Sequence, residues 1–146
     1  MEACRVFRFL LDRRIAGASA AMPHPLSKSS PPCVTRSLAD KRAKIIELND
    51  QLRTAFKGGR VQKTPSVYDL DERLRGRALA VMAKYNKFDE DSNHDCGVFI
   101  FAGYSFEWHI EYRGVNGEGV SPDPSDASKT FRVLTLYTLH DVLNGV

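Results

Sequence analysis

The strongest constraint on the fold is a strict alternation of apolar and polar side chains between residues 104 and 113. The even positions are all aromatic or aliphatic, and the odd positions carry a serine, two glutamates, a histidine and an arginine. Successive side chains of a β-strand point to opposite faces, so this period predicts a strand with one buried and one solvated face. The chain must therefore build a sheet that is covered on one side.

Three further segments are predicted to be strands, and the first of them is the predicted hairpin partner of residues 104–113. Residues 98–101 are apolar, and Ala102-Gly103 follows them, where glycine permits the positive φ that a tight hairpin turn requires. Residues 130–137 are apolar on both faces, which predicts a central strand. A short strand is also predicted over Arg60–Thr64. It should end there, because the proline that follows cannot donate a hydrogen bond to a neighbouring strand.

Two helical patterns precede the strands. Apolar residues recur at three- and four-residue steps over Leu38–Lys57, with Ser37 as the predicted N-cap. A second pattern runs over Asp69–Asn86, and its Gly76 costs about 1 kcal/mol relative to alanine unless close packing requires a glycine. This order of elements predicts an α+β fold, in which two helices pack on one face of a small antiparallel sheet.

Composition separates the first 36 residues from the remainder of the chain. Residues 1–36 are rich in proline and serine, and they carry six basic and two acidic side chains. Prolines remove backbone donors and serines bury little surface, so we expect a flexible, disordered and basic N-terminal extension. Residues 37–146 are predicted to form a single α+β domain.

The net charge of +3 conceals an uneven distribution of charged side chains. Residues 37–88 carry twelve basic and six acidic groups, whereas residues 89–146 carry three basic and ten acidic groups. The predicted helical half is therefore basic, and the predicted sheet half is acidic. Such an asymmetry bears on association with partners more than on the fold.

Two absences narrow the class of protein. No apolar run approaches the roughly 18 residues of a membrane-spanning helix, so we expect no membrane partner. Three cysteines are too few and too scattered for a disulfide framework, which favours a reducing compartment and a cytoplasmic location.

Four residues are candidates for catalysis: His94, Cys96, His109 and Glu111. A thiolate beside an imidazolium can act as a nucleophile, and a row of carboxylates around a histidine can bind a cation or transfer protons. The alternatives are a small buried cysteine and cross-strand ion pairs on an exposed sheet face. The chain lacks the ligand spacing of a zinc site, and its acidic run after residue 88 lacks the glycine and glutamate of a calcium loop. We therefore predict neither a metal site nor a cofactor.

A basic stripe on the second predicted helix is the candidate partner-binding surface. Its members are Arg73, Arg77, Lys84 and Lys87. Exposed cations on one helix face can contact the phosphates of a nucleic acid or an acidic protein, although a merely solvated face is the alternative. Asp69 and Asp71 are spaced to form ion pairs with the arginines that follow them by four residues. The partner is an unknown protein or nucleic acid, and the oligomeric state stays open.

Several short segments stand in a recognisable order along the chain. They are Ile46–Asp50 with Arg53, Gly58–Val61, His94–Gly97, Trp108–Tyr112, Ser121–Pro124 and Arg132–Thr135. Together they resemble a family of uncharacterised alphaproteobacterial proteins, a domain of unknown function, over about residues 42–143. The resemblance implies a cytosolic bacterial protein. It implies no reaction and no catalytic residue, and an aromatic residue is common in the family at the position of Cys96.

The sequence favours a small cytosolic binding or accessory protein without catalytic activity, because no catalytic motif is complete. The alternative is a small enzyme of a hydrolase-like or cation-dependent type that uses the four candidates named above, His94, Cys96, His109 and Glu111.

Overall fold

The computed structural model describes residues 32–143 and the side chains of residues 37–141. In chain order its elements are α1 (Pro32–Ala55), β1 (Gly59–Lys63), α2 (Pro65–Tyr68), α3 (Glu72–Ala83), β2 (Cys96–Phe101), β3 (Tyr104–Arg113), β4 (Phe131–Thr138) and α4 (Leu139–Leu143). Most of the predicted extension, residues 1–31, lies outside the described part. No helix in the described part is long and apolar enough to cross a membrane.

The four strands form one mixed sheet in the order β1-β4-β3-β2. β3 pairs in antiparallel orientation with β2 on one side and with β4 on the other. β1 pairs with β4 in parallel, with Val61 opposite Leu134. The α+β class is thus confirmed, but the sheet is mixed rather than wholly antiparallel as expected. The chain between β1 and β4 contains two helices and a hairpin, which is long enough for a parallel crossover.

The hydrophobic core lies between the helices and one face of the sheet. The even-numbered residues of β3 from Phe106 to Tyr112 point into it, as the alternation predicted, whereas Tyr104 is exposed. β4 adds Leu134 and Leu136. The helices α1, α2 and α3 supply Leu52, Val67 and Met82, each fully buried. The odd-numbered residues of β3 therefore lie on the opposite face of the sheet.

The second predicted helix, Asp69–Asn86, corresponds to α3, which is shorter at both ends, and α2 is a separate short helix before it. α2 ends at Tyr68, and Asp71 caps α3 because its carboxylate accepts hydrogen bonds from two backbone N–H groups of the first helical turn. The residue predicted as the cap, Asp69, lies instead at the end of α2. A Cβ added at Gly76 would meet no atom within 4 Å, so packing does not require glycine at this position of α3.

Asp141 connects the end of β4 to the segment that follows β1. Its carboxylate accepts a hydrogen bond from the Thr64 hydroxyl at 2.7 Å, and from the backbone N–H and hydroxyl of Thr138 at 2.8 Å each. The residue is only 3% exposed. Burial acts to raise the pKa of Asp141, but these hydrogen bonds and one from Ser66 lower this pKa to about 2.

We expect Asp141→Asn to lower the free energy of unfolding by about 2 kcal/mol at neutral pH. Because the folded-state pKa lies below the ordinary value, this stabilisation is fully present above about pH 4 and is lost as the pH falls toward 2. Urea denaturation of both proteins should therefore show a difference near pH 7 that shrinks near pH 2. Asp69→Asn, at an exposed position, should show no such difference. An equal loss for Asp141→Asn at both pH values would contradict this account.

Candidate functional sites

A cluster of buried polar side chains lies between α1 and the sheet, centred on Asn49. Asn49 is 0% and Arg132 is 1% exposed. Arg132 Nε donates to Asn49 Oδ1 at 3.0 Å, and Arg132 Nη2 donates to the carbonyl oxygen of Pro124. The guanidinium carbon also lies 5.5 Å from the ring centre of Tyr112. Burial lowers the pKa of Arg132, and this buried cation relies on neutral oxygens and a ring rather than on a carboxylate.

The same cluster extends through the Asn49 amide group to the sheet. Asn49 Nδ2 lies 2.9 Å from the carbonyl oxygen of Asn93 and 2.6 Å from the hydroxyl oxygen of Tyr112. That hydroxyl donates to Asp95 Oδ2 at 3.2 Å. Burial and the charge of Asp95 raise the pKa of Tyr112 well above its ordinary value. The phenol therefore stays protonated at neutral pH and acts as a hydrogen-bond donor.

At the rim of the cluster, Asp50 joins α1 to His94. Asp50 Oδ2 lies 3.0 Å from His94 Nδ1, while Arg53 Nη2 donates to Asp50 Oδ1 at 2.8 Å. The His94 ring stacks on Phe88 with 3.8 Å between ring centres. His94 has a φ of 55°, a left-handed conformation that non-glycine residues seldom adopt. The Asp50 carboxylate beside Nδ1 fixes the orientation of the imidazole, so Nε2 is the ring nitrogen left to contact a ligand.

An open groove of about 430 Å³ lies beside His94, between α1 and residues 88–94. Arg42 lines it and donates to the carbonyl oxygens of Glu90 and Ser92. Its apolar lining residues are Ala39, Ala43, Ile46 and Phe88. An oriented imidazole beside such a groove could accept a proton from a bound molecule.

The predicted polar row is present on the sheet face opposite the helices. His109 Nε2 lies 3.3 Å from Glu111 Oε1 and 3.3 Å from the hydroxyl oxygen of Tyr137. Arg113 donates to Glu111 Oε2 at 2.6 and 2.8 Å. Burial acts to raise the pKa of Glu111, but the hydrogen bonds from Arg113 and His109 lower this pKa below its ordinary value. Glu111 is therefore ionised at neutral pH and bridges two donors.

Cys96 lies opposite His109 in the β2–β3 ladder, so both side chains are on the sheet face that carries the polar row. The predicted role of Cys96 as a nucleophile requires the reduced thiol and stays a prediction. Three of the four catalytic candidates thus share one face, whereas His94 lies on the helical side of the sheet. Among the described residues, no group of three or more histidine, cysteine or acidic side chains could hold a metal ion.

Sequence reasoning did not single out Asn49, Arg53 or Arg132 as site residues. A signal existed, because Asn49 and Arg53 lie four residues apart within the apolar stripe of α1, and Arg132 interrupts the apolar run of β4. A polar side chain at a position that the pattern predicts to be buried needs a buried partner. Such positions are where a polar cluster should be sought.

The predicted basic stripe is exposed to solvent. Its four members, which we call the basic α3 face, are all exposed: Arg73, Arg77, Lys84 and Lys87. Arg73, Arg77 and Lys84, the C-cap residue, fall on one flank of α3 and span roughly 16 Å along its axis. Lys87 was predicted on the same helix, but α3 ends at Ala83 and Lys87 lies in the loop after it. Neither predicted ion pair forms, because the Asp71 carboxylate caps the helix and Asp69 lies before its first turn.

The ion pairs of the protein are distributed unevenly. Six cations of the described part lie within 4.0 Å of a carboxylate: Lys41, Arg42, Lys44, Arg53, Arg113 and Lys129. Between residues 57 and 87 the chain has eight cations and three carboxylates, and none of these cations is paired with a described carboxylate. Among the side chains that the structure describes, positive charge without a carboxylate partner is thus concentrated around β1, α2 and α3.

Comparison with known proteins identifies a family whose function is unknown. The profile of a family described as a protein of unknown function (DUF3768) matches residues 63–141, just over half of the 146-residue chain. The match includes the basic α3 face, His94 and Arg132, while α1 lies outside it. No curated protein and no solved structure matches the chain.

Proposed function

Since the chain belongs to a family of unknown function, DUF3768, we propose a function from its own surface chemistry. The protein is a small binding protein without catalytic activity, and its basic α3 face binds nucleic acid. The observation that carries the proposal is the set of eight cations between residues 57 and 87 that have no carboxylate partner among the described side chains.

Unpaired surface cations favour a partner that supplies many negative charges. Nucleic acid gains affinity when lysines and arginines neutralise its phosphates and release condensed counterions. A cation that is already paired within the protein contributes less to such binding, because its carboxylate must first be displaced. The cations of α3 are free of this cost, whereas exposed cations such as Lys41 and Lys129 are not.

The shape of α3 favours a phosphate chain over an acidic protein. Gly76 and Ala80 are exposed beside the basic α3 face, so no large side chain obstructs the approach of a backbone. The charges from Arg73 to Lys84 follow a line along the helix, which suits a partner with charges at regular intervals. We place this binding in the bacterial cytoplasm, as the resemblance of the chain implies.

Charge reversal tests the proposal. The variant Arg73→Glu/Arg77→Glu/Lys84→Glu should bind a labelled oligonucleotide of about 20 nucleotides at least tenfold more weakly than the wild type, measured by fluorescence anisotropy at low salt. The slope of log affinity against log salt should fall by about one for each lost phosphate contact. Circular dichroism should show an unchanged fold, because all three side chains are exposed.

The matched control reverses three exposed cations that already have carboxylate partners, in Lys41→Glu/Lys44→Glu/Lys129→Glu. Both variants change the net charge equally, so they differ only in where the charges lie. If the cations of α3 contact the nucleic acid, the control should lose no more than about threefold in affinity. An equal loss in both variants would show that only net charge matters. A wild-type protein that binds no oligonucleotide at low salt would overturn the proposal and leave an acidic protein as the partner to test.

A further inference from the structure

Tyr68 is an exposed aromatic residue at the junction between α2 and α3. Its side chain is 54% exposed although it is the last residue of a helix whose Val67 is fully buried. An aromatic ring that faces solvent contributes little to the core, but it offers a flat apolar surface to a ligand. This position also lies within the segment whose cations are unpaired.

Two of those cations approach the Tyr68 ring. Lys63 Nζ lies 5.1 Å and Arg75 Cζ lies 5.7 Å from the ring centre. Arg75 is fixed in place, since its Nη1 donates to the carbonyl oxygen of Tyr68 at 2.6 Å and to that of Leu70 at 3.4 Å. Lys63 differs, because its ammonium group has no hydrogen bond or ion pair with any described residue, and only the ring holds it.

We propose that Tyr68 is a stacking platform for an unpaired nucleobase, so that the protein binds single-stranded nucleic acid more tightly than duplex. The inference rests on the proposed function and adds a preference to it. When a strand binds, the Lys63 ammonium moves from the ring to a phosphate, and the base stacks on the uncovered ring. Arg75 keeps the ring oriented and adds positive charge beside the strand. Bases within a duplex are already stacked on one another and cannot reach the ring without being extruded.

Anisotropy titrations with one oligonucleotide, as a single strand and as a duplex, test this inference. Tyr68→Ala should weaken binding of the single strand about tenfold and leave duplex binding within about twofold. Tyr68→Phe should bind like the wild type, because stacking needs the ring and not the hydroxyl. Tyr68→Leu keeps apolar bulk without the ring, so it should lose as much affinity as the alanine variant.

Tyr104 provides the matched control. It is 43% exposed at the β2–β3 turn and has no cation over its ring among the described residues. Tyr104→Ala should leave both affinities unchanged.

If the wild type binds neither oligonucleotide, the proposed function itself is wrong. If binding depends on the basic α3 face but all Tyr68 variants bind like the wild type, the proposed function stands and the stacking inference is wrong. Because Tyr68→Leu repeats the test with a bulky side chain, unfolding of Tyr68→Ala would still leave a decisive result.

Discussion

Replacing Gly59 with alanine should lower the free energy of unfolding by about 3 kcal/mol. A Cβ at this position would lie 2.5 Å from the backbone carbonyl oxygen of Arg132 and 3.0 Å from a methyl group of Leu52. Gly59 is paired with Arg132 between β1 and β4, and Leu52 belongs to the core, so neither neighbour can move freely. Guanidinium denaturation should show a lower midpoint with an unchanged m-value.

Gly76→Ala is the matched control for this variant. The same chemical change is made where a Cβ would meet no atom within 4 Å. Removal of a glycine from the interior of α3 should raise the free energy of unfolding by up to about 1 kcal/mol. If both variants shifted stability in the same direction by similar amounts, the close approach of β1 to β4 would not be the cause.

Asn49→Ala should be more damaging still, with a loss of about 4 kcal/mol in the free energy of unfolding. The variant removes the acceptor of Arg132 Nε and the hydrogen bonds of the Asn49 amide group to Asn93 and Tyr112. A buried cation would then lack one of its few partners, which costs more than the loss of an exposed hydrogen bond. Chemical denaturation at neutral pH measures the loss.

Two comparisons isolate the cause of this effect. Gln51→Ala changes an exposed amide two residues further along α1, and its effect should stay within about 0.5 kcal/mol. Asn49→Ala should cost less in an Arg132→Met background, because no buried guanidinium is then left unpaired. A loss below about 1 kcal/mol for Asn49→Ala alone would show that the cluster does not stabilise the fold in this way.

The strands could be predicted because their patterns report burial directly. The alternation of β3 and the two-sided apolar pattern of β4 correspond to a half-covered strand and a central strand in the structure. The direction of β1 could not be predicted, because the period of a strand does not depend on whether its neighbour is parallel. That direction follows from the crossover between residues 63 and 131, which is a property of the whole chain.

Helix boundaries were harder to predict than helices. α1 begins at Pro32, five residues before the predicted N-cap Ser37. Proline is well tolerated in the first turn of a helix, so the proline at position 32 does not prevent the helix from starting before Ser37. The break between α2 and α3 arises because the Asp71 carboxylate binds backbone N–H groups, an alternative that spacing alone did not separate from capping at Asp69.

The sites depend on contacts between distant parts of the chain. The proximity of His109 and Glu111 follows from the strand period, but the contact of His109 with Tyr137 depends on the register of β3 against β4. The side chains of the buried cluster come from four separate segments, at residues 49, 95, 112 and 132, so no single stretch of the sequence shows which of them meet. The unpaired state of the α3 cations was equally hidden, since Asp69 and Asp71 are correctly spaced for pairing and yet do not pair.

The parallel pairing of β1 with β4 also determines the order in which the sheet can assemble. The β2–β3 hairpin is closed by a two-residue turn, and such hairpins form within microseconds. Gly59, in contrast, must find Arg132, so β1 joins the sheet through β4 alone and only when a very long loop has been closed. We therefore expect the sheet to grow from its late strands toward its first one, opposite to the direction of the chain.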